Sequence, residues 1–101
     1  MVTGVSFSVA LDALKAGKRA AREGWNGKNM FVFQRPGITL TAGQVEEISS
    51  YPNAVKSFMV SQGRDIEFLP YFCMWSADGK VVNGWLISQT DAQAEDWCIL
   101  D

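Results

Sequence analysis

Phe7, Ala10, Leu11 and Leu14 recur at i, i+3, i+4 and i+7, which places them on one apolar stripe of a short helix. Ser6 is positioned to cap its start, and Gly17 to end it in a left-handed conformation. Ala20-Ala21-Arg22 then reads as a short strand running into Gly24-Trp25-Asn26-Gly27, where two glycines around Trp-Asn predict a tight turn that presents the Trp25 side chain outward. Residues 30–34 form a further strand, ended by Pro36-Gly37. The stretch 37–65 carries the weakest pattern. It predicts a helical turn after Thr41, over residues 43–48, and a turn at Tyr51-Pro52-Asn53. Residues 67–76 are strand-like, Ala77-Asp78-Gly79 supplies a hairpin turn, and Val81-Val82 begin the return strand. Two capping boxes compete downstream, Ser88 with Asp91 and Thr90 with Gln93, either one starting a helix of two turns. Residues 97–100 complete the pattern as a last strand. This order predicts a small α+β domain: an antiparallel sheet with an N-terminal helix and a short C-terminal helix.

A length of 101 residues fits one domain over 1–101 with one core, burying roughly 65% of the surface of the unfolded chain. With 48% hydrophobic and 20% charged residues, the balance is that of a globular protein. No apolar run approaches the ~20 residues of a membrane helix. Met1-Val2-Thr3-Gly4 lacks the basic start of a signal peptide, so the expected compartment is the cytoplasm. The net charge of −2 argues against DNA as a partner, because phosphate-backbone binding relies on surplus Lys and Arg. Charge is nevertheless uneven: residues 1–35 hold six basic and two acidic residues, a balance of +4, while the remainder holds three basic and nine acidic, a balance of −6. The N-terminal third is therefore suited to meeting a small anion.

The chain has no histidine. That excludes Ser-His-Asp and Cys-His catalysis and every histidine-containing zinc site. Cys73 and Cys98 are too few for a four-cysteine site and lie in apolar strand text, so they read as reduced core residues. Adjacent acids such as Glu46-Glu47 and Glu95-Asp96 point to different faces. No catalytic residue, metal ligand or cofactor is expected, and the remaining chemistry is that of recognition. Four tryptophans, at 25, 75, 85 and 97, offer flat faces for stacking, with Trp97 the one best read as core. Trp25 with Asn26 and Arg22, and Trp85 ahead of Ser88, Gln89, Thr90 and Asp91, supply π-faces, amides, hydroxyls, a guanidinium and a carboxylate. Those are the groups that bind the base, phosphates and ribose of a nucleotide.

The same residues carry a family resemblance. Phe7-Ser8, Ala10-Leu11 and Leu14-Lys15-Ala16-Gly17-Lys18, then Ala21-Arg22-Glu23-Gly24-Trp25-Asn26-Gly27-Lys28 and Met30-Phe31, resemble the start of the second type of Thoeris anti-defence protein, found in phages and prophages. Ala77-Asp78-Gly79, Trp85, Ser88-Gln89-Thr90-Asp91 and Ala94-Glu95-Asp96-Trp97 resemble its C-terminal signature, so the likeness covers residues 6–34 and 76–98. The resemblance implies a sponge that sequesters a cyclic ADP-ribose isomer, glycocyclic ADP-ribose, without cleaving it, and so denies Thoeris immunity its activating signal. It also implies a homotetramer, a dimer of dimers with ligand pockets between protomers, acting in the cytoplasm of the infected bacterial host with no membrane partner. Some members hold cyclic oligonucleotide signals as well.

In this reading Trp25 and Trp85 are aromatic walls, Arg22 and Asn26 bond phosphate or base edges, and Asp91 bonds a ribose hydroxyl. Two other classes compete: a small hydrolase using Asp91 or Glu95 as base on the same signal, and a protein-interaction module whose aromatics only build interfaces.

Overall fold

The apolar stripe forms α1, Phe7–Lys15, with Ala10, Ala13 and Leu14 buried. Ser6 caps it by accepting from the Val9 N–H at 3.5 Å, Lys15 in the last turn complements the helix dipole, and Gly17 follows at φ 89°. The computed structural model describes residues 1–25 and 28–101. The chain divides into two compact units, Met1–Arg35 with Tyr71–Asp101, and Pro36–Pro70.

The first unit is a six-stranded antiparallel sheet with helices, an α+β arrangement. Its strands are β1 (Val2–Val5), β2 (Arg19–Arg22), β3 (Phe31–Arg35), β6 (Tyr71–Trp75), β7 (Val81–Asn83) and β8 (Trp97–Leu100), in the spatial order β1-β8-β2-β3-β6-β7. The hydrophobic pattern does not predict β1. It is a mostly exposed edge strand with a register irregularity between Val2 and Val5, formed by pairing with β8 rather than by burial. The β6–β7 turn is the one expected, with Gly79 at φ 81°.

Alternation along β2 puts Ala20 and Arg22 on the same face. There Ala20 pairs with Val32 on β3 and Ile99 on β8, and Arg22 pairs with Trp97. Ala10 and Leu14 of α1 close over Ala20, Val32 and Trp97 to make the core, all of them fully buried. Cys73 and Cys98 are buried free thiols. The opposite face carries Arg19 over the Phe31 ring at 5.0 Å and Phe31 stacked with Trp75 at 6.4 Å.

Of the two competing helix starts, Ser88 prevails: its Oγ accepts from the Asp91 N–H at 3.0 Å, and α4 covers Gln89–Gln93. Five residues are fewer than the two turns expected, and Thr90 lies inside the helix. The Asp91 carboxylate makes its bond to Arg22 instead of the reciprocal bond of a capping box.

The second unit pairs β4 (Ile38–Leu40) with β5 (Ile66–Phe68) and contains α2 (Ala42–Glu46) and α3 (Asn53–Ser61). Thr41 starts α2 with a full capping box: its Oγ1 accepts from the Gln44 N–H at 3.3 Å, and Gln44 Oε1 accepts from the Thr41 N–H at 2.9 Å. Two expectations are amended here. The turn expected at Tyr51-Pro52-Asn53 leads straight into an unexpected nine-residue helix, Asn53–Ser61, with Pro52 at its N-cap, where a proline has no N–H to lose. The strand text of 67–76 divides at Leu69-Pro70 into β5 and β6, which belong to different units. No helix among the described residues is long and apolar enough to cross a membrane.

Candidate functional site

Arg22 ends β2 on the face that α1 covers. Its Nε donates to Asp96 Oδ1 at 2.7 Å and its Nη2 to Asp96 Oδ2 at 3.3 Å, while Nη1 donates to Asp91 Oδ1 at 2.6 Å. The guanidinium thus spans a carboxylate of α4 and another at the entrance to β8, with three of its five N–H groups used. All three side chains are largely buried; Arg22 and Asp91 are 16% and 17% exposed, Asp96 29%. Hydrogen bonds to Asp96 and then Asp91 hold the Arg22 pKa above its already high ordinary value. The bond from Arg22 holds the Asp96 carboxyl below the usual carboxylate range, helped by the N–H of Gly24.

Asp96 also fixes the next turn of chain. Its Oδ2 accepts from the Gly24 N–H at 2.8 Å, and its backbone carbonyl accepts from the Glu23 N–H at 3.1 Å. Residues Glu23–Trp25 form one 3₁₀ turn there. A Cβ on Gly24 would lie 3.0 Å from both Arg22 Nη2 and Asp96 Oδ2, so the turn sits hard against the ion cluster.

The turn expected over Gly24-Trp25-Asn26-Gly27 lies outside the described residues at Asn26 and Gly27, while the expectation that Trp25 is presented outward is corrected. Trp25 packs against the core, its ring centroid 5.4 Å from buried Trp97 and 6.3 Å from Trp85, both in edge-to-face contact. A base held between two rings needs them parallel and ~7 Å apart, two contacts of ~3.5 Å. At an interplanar angle of 81°, Trp25 and Trp85 meet edge to face and are not parallel facing walls. Trp97 is core, as expected, and its Nε1–H donates to the Asp91 carbonyl at 2.8 Å. Asn26 lies outside the described residues. Ser88, Gln89 and Thr90 are exposed around the start of α4.

The structure therefore brings together Arg22, Trp25, Trp85 and Asp91 from distant parts of the chain. It adds Asp96, which the sequence placed in an acidic pair and in the C-terminal signature but not among the site residues. The fourfold Asp-to-backbone and Asp-to-arginine bonding of that residue leaves no mark in a linear sequence. A cleft of about 170 Å³ lies beside the cluster, lined by Ala21, Arg22, Trp25, Lys28, Met30 and Leu100 among others. A larger groove of about 410 Å³ belongs to the second unit, between α2 and α3, and none of the expected site residues lines it.

Because Asp96 has a depressed pKa in the folded state, its contribution to stability is complete above the unfolded value of about 4 and is lost as pH falls through the folded value. Asp96→Asn should cost about 2 kcal/mol at pH 7, the scale of a charged hydrogen bond. The gap to the unsubstituted chain should close towards pH 2. Urea midpoints measured across that range check this; a gap independent of pH contradicts the ion-pair account.

The description of the Thoeris anti-defense 2-like domain matches residues 5–100, including the middle segment that the resemblance in sequence did not cover. The chain is also 36% identical over 100 residues to "Thoeris anti-defense 2" of Bacillus phage SP01, an alignment covering 99% of each chain.

Proposed function

The chain belongs to the Thoeris anti-defense 2-like family, a phage opposition to Thoeris immunity, and on that premise we propose that it acts as a sponge, binding and sequestering glycocyclic ADP-ribose without cleaving it. The observation that carries this reading is a meeting of two sequence blocks. Arg22 and Trp25, from the N-terminal block, contact Asp91, Asp96 and Trp85, from the C-terminal one. Aromatic surface, hydroxyl, amide and charged groups are thereby gathered in one region, as nucleotide recognition requires.

The state of Asp91 and Asp96 supports sequestration rather than hydrolysis. A general base is most effective with a pKa near the working pH. Asp96 is shifted the opposite way, and Asp91 is tied to the same guanidinium. A sponge needs affinity instead. Nanomolar binding requires about −12 kcal/mol, and a ligand of about 35 non-hydrogen atoms at ~0.3 kcal/mol per atom yields roughly −10. Such a ligand must be well enclosed, in a pocket of the usual ~300–1,000 Å³. A cleft of about 170 Å³ is too small alone. We therefore place the pocket between protomers of a homotetramer, each Trp25–Trp85 surface forming one wall. Cyclic oligonucleotides are secondary ligands in this reading, and the site of action is the cytoplasm of the infected host.

Binding to the native state alone stabilises by about 2.7 kcal/mol at a hundredfold excess over Kd, which raises the melting temperature of a chain this size by roughly 10–20 °C. Thermal unfolding with and without glycocyclic ADP-ribose tests the reading. No shift would favour an interaction module with interface aromatics only.

A further inference from the structure

Arg22 is the evident candidate for a phosphate contact at this site, but its surroundings argue against that role. Its guanidinium is matched to two carboxylates, so the cluster of Arg22, Asp91 and Asp96 carries a net charge of −1. A phosphate approaching it would meet two negative groups for one positive. It would also compete with charge-assisted bonds of 2.6 and 2.7 Å that are already formed. The other basic residues of the N-terminal third are placed elsewhere. Arg19 pairs with Asp101 and covers Phe31, and Arg35 covers Tyr71. Lys15 and Lys18 stand at the end of α1.

Lys28 differs from all of these. It lines the cleft that Arg22 and Trp25 also line, it is exposed, and it makes no ion pair among the described residues. An ammonium on a long flexible stem is a compact point charge suited to phosphate oxygens. We infer that Lys28 is the cation that engages the phosphate groups of a cyclic nucleotide at this cleft, and that Arg22 is a positioning residue. Held by Asp91 and Asp96, Arg22 braces the 3₁₀ turn that carries Trp25. The inference rests on the sponge reading and names the residue by which that site selects an anionic ligand.

The test is titration of the unsubstituted chain and of Lys28→Gln and Lys28→Arg with glycocyclic ADP-ribose at 50 and 300 mM salt. Lys28→Gln should weaken binding about 10-fold at low salt and flatten the salt dependence, because one screened charge contact is lost. Its melting temperature without ligand should be unchanged, and Lys28→Arg should recover most of the affinity. Unchanged affinity and salt dependence in Lys28→Gln, with tight binding by the unsubstituted chain, would overturn the assignment to Lys28 and leave the sponge reading standing. Absence of binding by the unsubstituted chain would overturn both.

Discussion

Trp25→Ala is expected to weaken capture of glycocyclic ADP-ribose by about 100-fold, near the upper end of the ~1–3 kcal/mol that one base–aromatic stacking contact contributes. The size of the effect follows from the place of Trp25 in the fold. Its ring is in edge-to-face contact with Trp97 and Trp85, and its 3₁₀ turn is pinned by Asp96 through Gly24. The indole is thus held in place before any ligand arrives, and little ordering entropy opposes stacking on what remains exposed. Some stability is lost as well, because the ring also packs on the core, so affinity must be measured on folded protein whose oligomeric mass is unchanged. Trp25→Phe, which keeps an aromatic face, should retain most of the binding. Normal affinity in folded Trp25→Ala would remove this residue from the pocket.

The largest effect on stability is expected at Trp97. It is fully buried beneath α1, with Phe7 at 5.1 Å and Trp25 at 5.4 Å between ring centroids, and its Nε1–H satisfies the Asp91 carbonyl. Truncating a buried tryptophan to alanine costs about 3–5 kcal/mol through lost burial and a cavity. Leaving a carbonyl without its donor adds about 1–3 kcal/mol. Against a total of about 5–15 kcal/mol, Trp97→Ala should leave the chain marginally folded or unfolded. Urea denaturation should show the midpoint collapsing, with Trp97→Phe intermediate because it keeps a ring but loses the donor. A loss below about 1 kcal/mol would contradict the placement of Trp97 at the centre of the core.

How much of this was legible in the sequence depended on whether the signal was local. The α1 stripe, its Ser6 cap, the Gly79 turn, the last strand and the core role of Trp97 all follow from periodicity or turn chemistry within a few residues. Strand β1 was not legible, since an exposed edge strand exists only by pairing with β8, nearly a hundred residues away. Helix α3 was hidden because it buries no residue fully and leaves Phe58 67% exposed, so it has no clean apolar face to read. At the candidate site, residue types were legible and relations were not. Arg22 and Asp91 were identified separately, but the sequence could not show that each is the other's partner across 69 positions, nor that Asp96 binds both Arg22 and the Trp25 turn. That pairing changes the chemistry assigned to them, from free ligand contacts to a brace.

The central claim is capture without cleavage, and a release assay tests it most directly. The protein is incubated with glycocyclic ADP-ribose and retained on a filter, and free signal is assayed before and after heat denaturation of the retained fraction. The sponge account predicts that signal disappears from the filtrate and returns intact, in full yield, when the protein is unfolded. Signal that disappears and returns only as a cleaved product would contradict it, and would make this chain an enzyme.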